Sequence, residues 1–171
     1  GTEYERYGPM REAAIVLSVV GEGLPMIYNG QEVGNTRRLQ FFEKDPIIWP
    51  ADFQLDDQGR LYQRLFRLKH DNAALANGQF GGRMHQVVNT APSRVFSFFR
   101  ERGADKVFVA LNLSAEPQTV TFEGGHHFGD YRDFDTGEAV AVNAATRLVL
   151  PAWGWKVFAT RSAGTPEVRS F

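Results

Sequence analysis

Hydrophobic residues recur with a helical period at the start of the chain. Met10, Ala13, Ala14 and Leu17 fall at i, i+3, i+4 and i+7, which predicts a helix from Pro9 to Val20. Ile15, Val16 and Val19 fill its other side, so this helix is apolar nearly all round and has to be packed on more than one face. Pro9 suits a first helical turn, where its missing N–H has no partner to lose. The next run, Leu24 to Tyr28, is short, apolar and bracketed by Gly23 and Gly30. That predicts a buried strand, with Pro25 tolerated only near its beginning. Residues 35–59 lack a period but carry Phe41, Phe42, Trp49 and Phe53, so this loop is expected to pack. Asp56 and Asp57 offer a cap for a second helix. Leu61, Leu65 and Leu68 mark its buried face, widened by Tyr62 and Phe66, and Asn77-Gly78 ends it.

From Phe80 the period changes to two. Val95–Arg100, Lys106–Asn112, Gln118–Phe122, Tyr131–Phe134, Ala139–Val142, Thr146–Leu150 and Trp155–Thr160 all read as strands, separated by turn residues such as Gly124-Gly125 and Asp135-Thr136-Gly137. Short strands at this spacing predict an antiparallel sandwich. The fold class is therefore mostly β: an antiparallel β-sandwich preceded by a helix-strand-loop-helix piece of a parallel α/β unit. The expected division is 1–78 for that piece, 79–162 for the all-β domain and 163–171 for a tail; residues 1–8 read as a loose lead-in.

The stretch Leu24-Pro25-Met26-Ile27-Tyr28-Asn29-Gly30-Gln31-Glu32 resembles the last barrel strand of the α-amylase family of glycoside hydrolases (family 13). Three further segments resemble family segments in the same order. Lys44-Asp45-Pro46-Ile47-Ile48-Trp49 is similar to the following loop. Leu61 to Leu75, ending His70-Asp71-Asn72-Ala73-Ala74-Leu75, is similar to the last barrel helix. Lys106 to Ser114 is similar to a strand of the C-terminal β-domain. The resemblance implies the end of a (β/α)8 barrel followed by a C-terminal β-sandwich. It also implies an enzyme acting on α-glucosidic bonds of starch, maltooligosaccharides or related α-glucans through a covalent intermediate, with hydrolysis the default and transglycosylation open. The family's nucleophilic Asp, acid/base Glu and Asn-His-Asp motif have no match here. His70-Asp71 falls on the segment resembling the last barrel helix, so it is not that motif. The expectation is a C-terminal fragment, inactive alone, with no catalytic residue, its substrate reached through the N-terminal part of the barrel. A free-standing carbohydrate-binding β-sandwich module is the alternative, though such a module has no use for residues 9–75.

Composition narrows the partners. The net charge of −1 leaves no basic excess to neutralise phosphates, which argues against nucleic-acid and membrane-surface partners. No apolar run approaches the ~18 residues of a membrane span. Without cysteine there is neither disulfide framework nor thiolate site, and the reading requires no cofactor and no metal. A signal peptide would lie upstream of residue 1, so no compartment is assigned. A lone strand with open edges and an apolar helix without neighbours points to self-association of the fragment, or to incomplete ordering of residues 1–60.

Candidate site residues follow from position. Asn29, Gln31 and Glu32 stand where the strand ends, where α/β barrels place substrate contacts; they either shape the cleft or hold neighbouring backbone. Asp45 either reaches a sugar or starts a turn before Pro46. Trp49, Trp153 and Trp155 either stack on sugars or pack a core or domain seam. The pair His126-His127 sits beside a turn with its side chains expected on opposite faces and without a function. Asp130, Asp133 and Asp135 read as a solvated edge.

Overall fold

A computed structural model describes residues 2–52 and 54–160. The expected tail, 163–171, and Phe53 lie outside the described residues. Three helices come first: α1 (Glu3–Tyr7), α2 (Arg11–Val20) and α3 (Asp57–Asp71). Eight strands follow: β1 (His85–Gln86), β2 (Val95–Arg102), β3 (Asp105–Asn112), β4 (Gln118–Val120), β5 (Gly129–Asp133), β6 (Ala139–Val142), β7 (Leu148–Leu150) and β8 (Trp155–Ala159). A six-stranded antiparallel sheet runs in the order β1-β2-β3-β8-β5-β6, and β4 pairs with β7 in a second sheet. The sandwich expected from the period-two pattern is therefore present.

The large sheet is covered on both faces. On one side Phe98, Val107, Val109, Leu111, Val157 and Ala159 pack with the helix residues Val16, Val19, Leu61, Leu65 and Leu68. On the other, Val95, Phe108, Ala110 and Phe158 pack with Val120, Phe122, Leu148 and Leu150 around the small sheet. The central strand β3 is buried on both faces, which explains why Val107 to Leu111 is apolar without a break. β2 and β3 pair from Val95–Asn112 to Arg102–Asp105, and Gly103 closes this two-residue hairpin at φ 60°.

Both expected helices are present, but the second ends at Asp71 rather than at Asn77-Gly78, because Asn72 is extended and its side chain caps a separate 3-10 turn, Ala73–Leu75. Pro9 lies in a 3-10 turn, Gly8–Met10, that leads into α2. Asp56 caps α3, its Oδ1 accepting from Gly59 N at 2.8 Å. Four further expectations need correction. The lead-in contains α1, nucleated by a capping box in which Thr2 and Glu5 exchange hydrogen bonds. Leu24 to Tyr28 forms no regular strand, because a strand exists only through a ladder and no described segment pairs with it. The loop aromatics do not pack inward: Phe41 and Phe42 are about nine-tenths exposed and touch each other edge to face at 4.9 Å. Asp133 is not at a solvated edge. It is buried, its Oδ1 accepts from Asp135 N (2.8 Å) and Thr136 N (3.3 Å), and its Oδ2 accepts from Lys156 Nζ at 2.7 Å. Burial raises the Asp133 carboxyl, but these hydrogen bonds outweigh it and hold its pKa below the ordinary value.

Candidate functional site

The turn at Gly30–Gly34 anchors the site. Gly30 (φ 98°) and Gly34 (φ 64°) bracket a 3-10 turn, Gln31–Val33, in the left-handed backbone region that glycine enters without cost. A Cβ on Gly34 would also sit 2.4 Å from Asp56 Oδ2. The first turn of α3 approaches the same turn through Gly59, whose missing Cβ leaves room for Glu32 O.

A hydrogen-bonded network ties the turn to α1 and α3. Gln31 Nε2 donates to Glu3 Oε2 (2.5 Å), and Gln31 Oε1 accepts from Tyr28 N (2.6 Å). Gln58 stands at the centre. Its Nε2 donates to Glu3 Oε1 (2.8 Å) and to Gln31 O (2.9 Å), and its Oε1 accepts from Arg11 Nε at 2.6 Å. Both amide hydrogens of Gln58 are thus used, as burial requires of a polar side chain. Arg11 lies over the Tyr4 ring, 3.9 Å from its centroid. Burial raises the Tyr4 phenol despite Arg11, and burial together with Glu3 pushes Tyr62 up to about 12.

Asn29 and Gln31 line a cleft of about 210 Å³ together with Thr2, Glu3, Tyr28 and Arg37. The other candidates lie elsewhere. Glu32 turns back on its own loop, Oε2 accepting from Gly30 N at 2.8 Å. Asp45 is closed by an ion pair with Arg37 at 2.7 Å and accepts from Gln40 N at 3.1 Å. Trp49 is part-exposed on the segment before α3. Trp153 stands on the β7–β8 turn at φ 59°, its backbone N–H donating to Ser114 O at 3.0 Å. Trp155 lies at the seam, donating from Nε1 to Glu12 Oε2 (3.3 Å) and tilted against Phe134. Among the described residues lining the cleft, Glu3 is the one carboxylate, and both its oxygens accept from amides. Among the described residues no three histidine or acidic side chains converge as a metal site, and no helix is long and apolar enough to cross a membrane.

Among the buried polar residues that sequence reasoning missed are Gln58 and Arg100. Gln58 lies in the first turn of α3, where its neighbours in sequence say nothing of Glu3 or Gln31. Arg100 is 1% exposed on β2. It donates from Nε to Gly82 O (2.8 Å), from Nη1 to Val20 O (3.1 Å) and Gly21 O (2.7 Å), and from Nη2 to Ala76 O (2.8 Å). It therefore fastens the C-terminus of α2 and the segment after α3 to the sheet. An arginine inside an otherwise aromatic strand, Phe96 to Phe99, was the available signal.

No family profile matches the chain. The chain is 28% identical over 107 residues to a cyclomaltodextrinase of Thermoanaerobacter pseudethanolicus, which covers 63% of this chain and 18% of that protein. It is 28% identical over 128 residues to neopullulanase 2 of Thermoactinomyces vulgaris, covering 74% of this chain and 21% of that protein. It spans about a fifth of the length of these curated relatives. A solved cyclomaltodextrinase structure superposes with a TM-score of 0.73 at 21% identity, over 92% of this chain and 27% of that one. Sequence likeness and shared fold agree with the order of motifs along the chain, which is similar to the C-terminal region of α-amylase-family glycoside hydrolases.

Proposed function

We propose that this chain is the C-terminal region of an α-amylase-family enzyme that cleaves α-glucosidic bonds of starch, maltooligosaccharides or related α-glucans by the retaining route. In this reading residues 1–78 complete a (β/α)8 barrel and residues 79–162 are its β-domain. The nucleophile and the acid/base belong to chain outside these residues.

One observation carries the reading. Leu24, Met26 and Tyr28 are 83%, 83% and 61% exposed, while Ile27 between them packs on the helix core. An apolar alternation with one face packed and one bare is what a barrel strand shows when its neighbours are absent. It occurs in the stretch that resembles the family's last strand. The cleft supports the second half of the reading. A retaining glycosidase sets two carboxylates about 5 Å apart, whereas the described cleft lining offers Glu3 alone, held by Gln31 and Gln58. Asn29 and Gln31 would then form part of the substrate wall, with Glu32 and Asp45 shaping the loops behind it. The part-exposed rings of Trp49 and Trp153 are the available sugar-stacking faces. The bare stripe would also drive self-association of the chain on its own.

The test compares this chain with the same chain extended upstream, on starch, maltooligosaccharides and a nitrophenyl α-glucoside. Turnover by the extended protein alone is expected. Turnover by this chain alone, lost on Glu32→Gln, would overturn the proposal. Light scattering should show a mass that rises with concentration for the chain alone.

A further inference from the structure

The two adjacent histidines have opposite surroundings. His126 is exposed, and His127, on the turn before β5, is 3% exposed. Four phenylalanine rings enclose the His127 imidazole: Phe128 at 4.7 Å, Phe108 at 5.3 Å, Phe122 at 6.1 Å and Phe99 at 6.2 Å between centroids. Its Nε2 is buried with no hydrogen-bond partner among the described residues. The backbone of the same residue is pinned, its carbonyl accepting from Tyr131 OH at 2.7 Å.

Charged and titratable groups come from three strands and from the turn. Lys106 of β3 donates through Nζ to His126 O and lies 3.5 Å from Glu101 Oε1. Glu101 of β2 lies 3.5 Å from His126 Nδ1 as well as from Lys106, outside the cage. Tyr131 of β5 is a phenol that burial keeps neutral well above the ordinary tyrosine range. The charge acting on the inner ring is thus the Lys106 ammonium.

We propose that His127 is an acid-sensitive latch: protonation of its ring inside the phenylalanine cage releases residues 124–128 from the sandwich core. A neutral imidazole can leave one nitrogen bare at modest cost. An imidazolium must donate from both nitrogens and carry a buried charge, and Nε2 has no acceptor. Cation–π attraction to the cage offers about 0.5–2 kcal/mol. Burial of an unpaired ionised group costs more, up to about 3–5 pKa units. Burial, and after it Lys106, accordingly hold the His127 pKa below its ordinary value. The folded chain then keeps the ring neutral at a pH where the unfolded chain has bound its proton. Stability falls as pH drops below about 6.5, and the unfolding constant rises by up to about tenfold per pH unit until the folded pKa is reached.

The experiment pairs thermal unfolding with proton NMR of the histidine C2 protons, both from about pH 7 to about pH 5. His127→Phe fills the cage without a titratable nitrogen and should remove most of the acid slope. His126→Asn should keep it. Amide exchange in residues 124–128, corrected for intrinsic rate, should accelerate first in acid. If His127→Phe does not fold, the wild-type titration decides the matter. A His127 signal that titrates below that of His126 supports the latch. One that titrates with or above His126, or an unchanged slope in folded His127→Phe, overturns it.

Discussion

Replacing Arg100 with methionine keeps a long flexible side chain in place but removes every donor. Four carbonyls, Val20 O, Gly21 O, Ala76 O and Gly82 O, then lose the guanidinium that serves them at 2.7–3.1 Å. Leaving a buried acceptor unsatisfied costs about 1–3 kcal/mol. Val20, Gly21 and Gly82 are buried and Ala76 is partly exposed, so even the low end of the range, about 1 kcal/mol each, gives about 4 kcal/mol together. Buried ion pairs can often be replaced by apolar residues without loss. That compensation needs both partners removed, and here the acceptors are backbone carbonyls that no side-chain change can remove. Two of them, Val20 O and Gly21 O, terminate α2, where a cation is favoured by the helix dipole. About 4 kcal/mol is a large part of the 5–15 kcal/mol that holds a typical domain. Arg100→Lys should fall between methionine and wild type, since one ammonium cannot reach four carbonyls arranged around a planar fork. Urea unfolding, followed through tryptophan fluorescence, measures the difference. An Arg100→Met midpoint implying less than about 1 kcal/mol lost, at an unchanged denaturant slope, would refute the reasoning.

Gln58→Leu should cost about 1–3 kcal/mol in the same assay, because it takes the donor from Glu3 Oε1 and the acceptor from Arg11 Nε, while Gln31 O keeps the backbone N–H of Gly34. Gly34→Ala should lower the melting temperature, combining φ 64° with a Cβ 2.4 Å from Asp56 Oδ2, and Gly34→Asn should be milder in backbone strain but no better sterically. Burial, and after it Arg100, lower the Lys69 pKa to about 8. Between about pH 8 and its unfolded value near 10.4 the unfolded chain binds the extra proton, so Lys69 should make stability rise with pH across that window. Lys69→Met should flatten that rise when unfolding is measured at successive pH values.

The β-domain was legible in the sequence because its signals are local. Two strand-like runs, Val95 to Arg100 and the unbroken apolar Val107 to Leu111, flank the turn residues Arg102-Gly103-Ala104-Asp105 and specify a hairpin whatever lies around them, and the observed register joins them. Helix α3 was legible for the same reason: Asp56 and the Leu61, Leu65, Leu68 stripe are neighbours on one helix face. What tertiary structure alone decided were the states that depend on residues far apart in the chain. Leu24 to Tyr28 has the composition of a strand, but composition cannot supply a ladder partner. Asp133 looked solvated until β8 brought Lys156 to it, and His127 became the centre of an aromatic cage because β2 and β3 carry Phe99 and Phe108 there. Gln58 bonds to a residue 55 positions away and Arg100 to one 80 away. A buried polar side chain is stable only with its partners in place, and partners at such separations are set by the fold as a whole and leave no periodic trace in the chain.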